Sequence, residues 1–415
     1  MARSWSVRTT LLIALPLLVS LAALAIIAGG IIIAQRGADA AAQALMRSAN
    51  SHIVSRTAAF LAQAERTTDL AARMINEQSL DPQDRPRLRR YLWQQLMVHP
   101  YIAGMYAGYE DGGFTYVMRV PTLTGDQFMF KTIEVQRRTR TVTVIWRNAF
   151  YEEIVPEAAA VDGYDPRLRP WYAAATRGLN NGWTAPYLFW TTQRPGISVA
   201  RPAKCHVGAI ACVIGADITL SDLSHFFGGL EREIGGRAFL VTDDARIVAA
   251  SELGASVGTR APPSGLRQAL PALADLDRSL LQAVWSAGMS PAATTPIGYR
   301  SLSWDGTNYL AELAPFNFNG LSWLVGVAVP RAGPLGWFAA VRDSVVWLVA
   351  GIALITVLAA IALSQPIVAG LRRLEMNAQR VRGGQFENLL PPAGGFKEIR
   401  QTEEALIDMA HNLAS

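Results

Sequence analysis

Two stretches of the chain are free of charge and almost wholly apolar, one from about Thr10 to Ala34 and the other from about Ser344 to Ser364. Roughly 20 apolar residues in helical form cross the hydrocarbon core of a bilayer, so each stretch predicts a transmembrane helix. A cleavable signal peptide is the rival for the first, but its apolar core would run only about 7–15 residues. This run is longer, and Gly29-Gly30 sits inside it without ending it. Arg3 and Arg8 precede the first span, and Arg372, Arg373, Arg380, Arg382, Lys397 and Arg400 follow the second; Arg36 and Arg342 lie on the other side. The bias of Lys and Arg toward the cytoplasmic side predicts that both termini are cytoplasmic and that residues 35–340 are translocated.

Between the spans the period changes several times. From Gly37 to Glu77 the sequence is Ala-rich, with Ile53, Phe60 and Ala64 on one helical face and Val54, Ala58 and Leu61 on a neighbouring one, which predicts a long stalk helix ended by Asn76 and Asp81-Pro82. Strand patterns follow. Ile102–Tyr109 and Phe114–Val120 flank Glu110-Asp111-Gly112-Gly113, a hairpin signal, and Arg137–Trp146 reads as one or more further strands before a turn region. Pro170–Arg177 reads as a short helix, then Gly196–Ala203 and Ala209–Leu220 as strands. Ser221–Glu231 predicts a connecting helix with a Ser cap. A second, smaller module begins near Gly235, with a hairpin Ala238–Thr242 and Arg246–Ala250, a helix predicted at Leu276–Ala287, and strands at Asn308–Ala314 and Leu321–Val329. The fold class this predicts is α+β: a stalk over 35–80, a membrane-distal module over 81–220 and a membrane-proximal module over 221–335.

After the second span, Ile367, Leu371, Leu374, Ala378 and Val381 repeat at alternating spacings of four and three, and Gly383-Gly384 ends that helix. Ile399, Thr402, Leu406, Met409 and Leu413 resume the alternation after a connector containing Pro391-Pro392. Two short heptad helices cannot bury their own seams, which predicts a parallel coiled-coil homodimer.

Charge and chemistry narrow the function. The net charge of +5 over 415 residues is modest, and no basic stripe interleaved with aromatics marks a nucleic-acid surface. No phosphate loop, HExxH or GxSxG elbow occurs, and none of the five histidines sits in a nucleophile or metal pattern, so no enzyme activity, metal or cofactor is expected of this chain. Cys205 and Cys212 bracket a predicted turn in the translocated region, where a disulfide is permitted; two free thiols are the alternative.

The segment 365–415, with Pro366 opening its first helix and Glu398 its second, resembles a HAMP domain. The translocated region resembles the double Cache (dCache) sensor family, on Tyr164-Asp-Pro-Arg-Leu-Arg-Pro-Trp-Tyr172, Trp183, Pro186-Tyr187, Gly196-Ile-Ser-Val-Ala200 and Gly215-Ala-Asp217-Ile218. That resemblance implies two tandem PAS-like (Cache) modules on a long N-terminal helix, in a bacterial inner-membrane receptor with a periplasmic sensor. A subset of the family binds free amino acids through a pattern that Tyr164, Arg169, Trp171, Tyr172, Tyr187 and Asp217 fill. The resemblance implies that Tyr164, Arg169 and Trp171 hold the ligand carboxylate, while Tyr172, Tyr187 and Asp217 hold its ammonium. The chemistry is apt: a guanidinium grips a carboxylate bidentately, and a carboxylate with aromatic faces suits an ammonium. An internal Arg169–Asp217 ion pair is the structural alternative. The expected function is sensing of an amino acid or related amine and relay through HAMP to an output domain downstream of Ser415, with wording nearest to adenylate/guanylate cyclase receptors. The alternatives are a dCache receptor for an organic acid and a membrane-anchored binding or scaffold protein without output.

Overall fold

Thr57, Thr67 and Thr68 each turn their hydroxyl back to the carbonyl four residues earlier, at 2.7–2.8 Å, so even the polar members of the first helix's inner face are satisfied. That helix, α1 (Leu15–Asn76), buries Ala42, Met46, Ala49, Ile53, Phe60, Ala64, Ala71 and Ile75, a stripe at spacings of three, four and seven that keeps one face on the core. In this computed structural model the described residues are 15–137, 139–204, 211–251, 270–273, 276, 279–286, 299–331, 336–392 and 396–414. Ala42–Pro334 forms one compact unit; the chain's ends, up to Ala41 and from Leu335, form a second.

In the first unit, α2 (Arg85–Val98) starts at Asp84, whose side chain accepts from the Arg87 amide, and buries Leu88, Leu92 and Leu96. An antiparallel sheet follows, built from β1 (Gly104–Tyr109), β2 (Phe114–Thr122), β3 (Gly125–Gln136), β4 (Thr139–Asn148), β5 (Glu153–Ala159), β6 (Tyr187–Leu188), β7 (Pro195–Lys204) and β8 (Ala211–Thr219). Their spatial order is β5-β4-β3-β2-β1-β8-β7-β6, so the last strand in sequence lies beside the first. Side chains alternate across a strand. Tyr106, Phe114, Tyr116 and Met118 cluster on one face with Tyr164, Trp171 and Tyr187. On the other, Tyr109 donates to the Pro82 carbonyl and Thr115 accepts from Arg85, at the start of α2. α3 (Pro170–Thr176) packs against β7 on the cluster side.

The predicted hairpin β1–β2 and the strands β7 and β8 are present. Helix α2 and strands β3, β5 and β6, and β11 in the next module, were not anticipated. All of β5 is exposed, and its pairing with β4 slips between Val144↔Ala158 and Trp146↔Val155, leaving Pro156 and Glu157 in a bulge.

The connecting helix α4 (Leu220–Ile234) is capped by Thr219, which accepts from the Asp222 amide at 3.0 Å, not by Ser221. Gly235, at φ 62°, ends it in the left-handed conformation that glycine adopts freely. A second antiparallel sheet, order β10-β9-β13-β12-β11, comprises β9 (Arg237–Thr242), β10 (Ile247–Ala250), β11 (Arg300–Trp304), β12 (Thr307–Phe318) and β13 (Leu321–Pro330), with α5 (Leu280–Ser286) packed beside it. Asn319, in the β12–β13 turn, donates to Glu65 of α1 at 2.7 Å, and Glu65 also pairs with Arg201 of β7.

The second unit holds α6 (Gly336–Arg382) and α7 (Lys397–Ala414). Stretches within Leu24–Asn76 and Ala350–Arg382 are long and apolar enough to cross a membrane, and their apolar side chains point outward, with Leu24 69 % and Ile355 68 % exposed. Pro366 does not open a helix: α6 runs through it. A proline removes one amide donor, and long apolar helices tolerate that loss. Gly384, at φ 77°, ends α6 as expected. The connector is then held by Asn377, whose side chain bonds both the amide and the carbonyl of Leu390 at 2.8 and 2.9 Å.

Candidate ligand-binding site

Asp165 organises the approach to the site. Its carboxylate accepts from the Arg167 amide and guanidinium, and a single 3-10 turn spans Pro166–Leu168. Arg169 precedes Pro170 and takes the extended conformation (φ −93°, ψ 148°) that a following proline enforces. Its side chain donates to the Leu188 carbonyl at 2.9 Å and sits 5.7–5.9 Å from the ring centres of Tyr164, Tyr187 and Trp190. Two residues on, Trp171 is fully buried, and its indole donates to the Tyr164 hydroxyl at 3.3 Å.

Asp217 closes the site from the sheet. In β8 it lies opposite Ser198 of β7 and Gly104 of β1. Its Oδ1 accepts from Ser198 Oγ at 2.5 Å and from Tyr106 Oη at 2.8 Å, and Tyr187 Oη is 2.7 Å from Ser198 Oγ. Since the Ser198 proton goes to Asp217, Tyr187 donates to Ser198. Tyr106 reaches Asp217 only because residue 215 is glycine: a Cβ there would lie 2.2 Å from the Tyr106 ring. Oδ2 accepts no hydrogen bond among the described residues. Burial pushes the Asp217 carboxyl up to about 7, against the pull of Ser198, Tyr106 and Arg169 in the other direction.

These groups border one cavity, lined by Tyr106, Phe114, Tyr116, Tyr164, Arg169, Trp171, Tyr187, Phe189, Trp190, Thr191 and Asp217. Five of the six residues expected from the sequence are thereby brought together. Tyr172 is not in the lining. Successive helical residues point about 100° apart, so the turn of α3 that aims Trp171 at the cavity carries Tyr172 away from it; besides burial, the charges acting on its hydroxyl are Glu110, Arg167, Asp111 and Asp165. The expected alternative of an Arg169–Asp217 ion pair is not found, and neither residue pairs with an opposite charge among the described residues.

Sequence reasoning missed Tyr106, Tyr116, Ser198 and Trp190. The alternation of Phe114, Tyr116 and Met118 on β2 was the available signal, since it marks the face that the Arg169 loop covers. Cys212, buried in β8, is disulfide-bonded; Cys205 lies outside the described residues. No cluster of His, Cys, Asp or Glu that could hold a metal occurs among the described residues.

Residues 114–225 match the family described as methyl-accepting chemotaxis protein-like, first PDC sensor domain. Adenylate cyclase 1 of Rhizobium meliloti is 25 % identical over 396 residues, covering 90 % of this chain and 56 % of the cyclase. The methyl-accepting chemotaxis protein PctB of Pseudomonas aeruginosa is 26 % identical over 223 residues, 52 % of this chain and 31 % of PctB. The chain thus spans about half the length, or less, of these relatives. Among solved structures, the ligand-binding domain of the Pseudomonas aeruginosa amino-acid chemoreceptor PctC, in complex with GABA, is similar at 20 % identity and a TM-score of 0.41, covering 69 % of this chain and 99 % of that one. The family match over residues 114–225 supports a Cache-type sensor module in this chain.

Proposed function

We propose that this chain is the sensing and relay portion of a transmembrane receptor that binds a free amino acid or a related amine. One observation carries the reading: Arg169 and Asp217, opposite in charge and without charged partners of their own, border the same aromatic cavity. A zwitterion supplies the missing charge to both. Arg169 with the Tyr164 hydroxyl would take the carboxylate, and Asp217 Oδ2 with the faces of Tyr106 and Tyr187 would take the ammonium. The similarity to the chemotaxis protein PctB and to the PctC amino-acid chemoreceptor domain with bound GABA supports the same class.

In this reading residues 35–340 lie in the periplasm of a bacterial inner-membrane protein anchored by spans at 10–34 and 344–364. Residues 365–415 act as a HAMP segment in a homodimer, and an output domain follows, of nucleotide-cyclase type as the similarity to a cyclase suggests. Ligand can signal only if it favours one arrangement of the dimer over another. The two helices α6 and α7, with the Asn377-pinned connector between them, are the element we assign to that switch.

The test is calorimetric and thermal titration of the full chain in detergent micelles with L-amino acids, amines and organic acids. A ligand at about 100 times its Kd adds roughly 2.7 kcal/mol to stability. Binding of amino acids, lost in Arg169→Ala and Asp217→Asn, is the expected result. Binding that survives both substitutions, or a response to organic acids alone, removes the proposal. Cysteine crosslinks along Ile367, Leu371 and Leu374 that ignored the ligand would remove the relay.

A further inference from the structure

Tyr116 is buried in the site, 5 % exposed, and lines the cavity. Unlike its neighbours, its hydroxyl has no hydrogen-bond partner among the described residues: Tyr106 donates to Asp217, Tyr187 to Ser198, and Tyr164 accepts from Trp171. Its position is fixed by a missing side chain. Gly104 lies opposite Asp217 across β1 and β8, and a Cβ on Gly104 would stand 2.7 Å from the Tyr116 ring and 2.9 Å from its Oη. Directly opposed residues share a face with Cβ atoms about 5 Å apart, so the Tyr116 hydroxyl lies close to the ammonium seat.

A phenol hydroxyl is both a donor and an acceptor, whereas an ammonium only donates. A ligand ammonium that occupies Asp217 Oδ2 competes for the one nearby protein acceptor and offers the Tyr116 proton none of its own. The ligand carboxylate is not the answer either. Arg169, which would hold it, is ringed by Tyr164, Tyr187 and Trp190, while Tyr116 packs on Tyr106 and Phe114 and makes no ring contact with any of those three. The remaining place for an acceptor is the ligand's side chain. We infer that Tyr116 is a specificity-determining residue whose hydroxyl donates to an oxygen on the side chain of the bound amino acid. The site then selects hydroxyl- and amide-bearing amino acids over hydrocarbon ones of the same shape. This rests on the amino-acid reading above.

The experiment is isothermal titration of the full chain in detergent with two isosteric pairs, threonine against valine and asparagine against leucine, for the wild type and Tyr116→Phe. Melting curves of both proteins check that each is folded. The expected wild-type preference for the oxygen-bearing member is roughly tenfold or more, because a buried donor left unpaired is costly. In Tyr116→Phe that ratio falls to within about twofold of unity, as threonine and asparagine bind more weakly and valine and leucine bind no more weakly than before. Equal affinities within each pair in the wild type, or a preference that survives the substitution, overturn the inference and leave the amino-acid reading standing. An equal loss of all four ligands in a folded Tyr116→Phe also overturns it, by assigning the hydroxyl to the common backbone groups. If no amino acid binds the wild type, the proposed function falls and this inference with it.

Discussion

Asp217 holds a proton in the folded chain over a range where an unfolded carboxylate has lost it, because its pKa is pushed from 3.8 to about 7. The folded state binds more protons between those values, so the stability of the ligand-free protein falls as pH rises from about 4 to 7 and stays lowered above. Asp217→Asn removes that penalty. Thermal melts should show the variant more stable than the wild type at pH 8, by on the order of 2–4 kcal/mol, and equal to it near pH 4. A variant destabilised at pH 8 would show instead that the carboxylate has a structural partner. A bound ammonium favours the ionised form, so affinity should weaken as pH drops below about 7, by up to about tenfold per unit, as titrations at pH 5.5, 6.5 and 8 would record. At this scale the sequence was informative where chemistry was packed into few residues: Asp165-Pro-Arg-Leu-Arg-Pro-Trp fixes Arg169 and Trp171 by local geometry alone. Tyr172 stands outside the cavity lining because adjacency in sequence is divergence on a helix. Tyr106 and Tyr116 were hidden because a strand tyrosine carries no mark of whether it fills a core or faces a ligand.

Among the elements, the connecting helix offers the cleanest contrast between pattern and geometry. Both Thr219 and Ser221 are capping residue types, and only the position of the first helical turn separates them. Thr219→Ala should lower stability by about 1 kcal/mol, while Ser221→Ala should change it by a few tenths; chemical denaturation of the two variants side by side would decide. The strands that escaped the sequence did so for two different reasons. In β3, Phe128 to Ile133 are all buried, with Lys131 and Thr132 inside the run, so neither alternation nor a purely apolar stretch is visible. Lys131 is tolerated there because it pairs with Asp162. β5 and β11 face solvent along most of their length and so carry no hydrophobic period. Pro366 shows the converse: a residue that reads as a boundary in isolation is absorbed when strong helix-forming sequence continues on both sides.

For the whole molecule, two strand-rich modules behind a long helix were legible from the rhythm of strands and turns, whereas the sheet order was not. The adjacency of β1 and β8 joins Gly104 to Asp217 across more than a hundred residues, and local pattern carries no information at that range. The same order has a consequence at its far end. A sheet that begins with β5 presents an unpaired edge, and open edges recruit other strands. Here Ile154 and Val155, 44 and 47 % exposed, would make that edge adhesive, but the next residue, Pro156, has no amide to donate. The bulge it shares with Glu157 also twists the strand out of register. Glu153 and Glu157 add like charge to any second copy that approaches. Replacing Pro156 and Glu157 together with valine should convert a protected border into a polymerisation surface, seen as larger species in light scattering of the purified chain with little loss of thermal stability. Three side chains on a strand that touches no ligand thus keep this sheet from growing beyond its own eight strands.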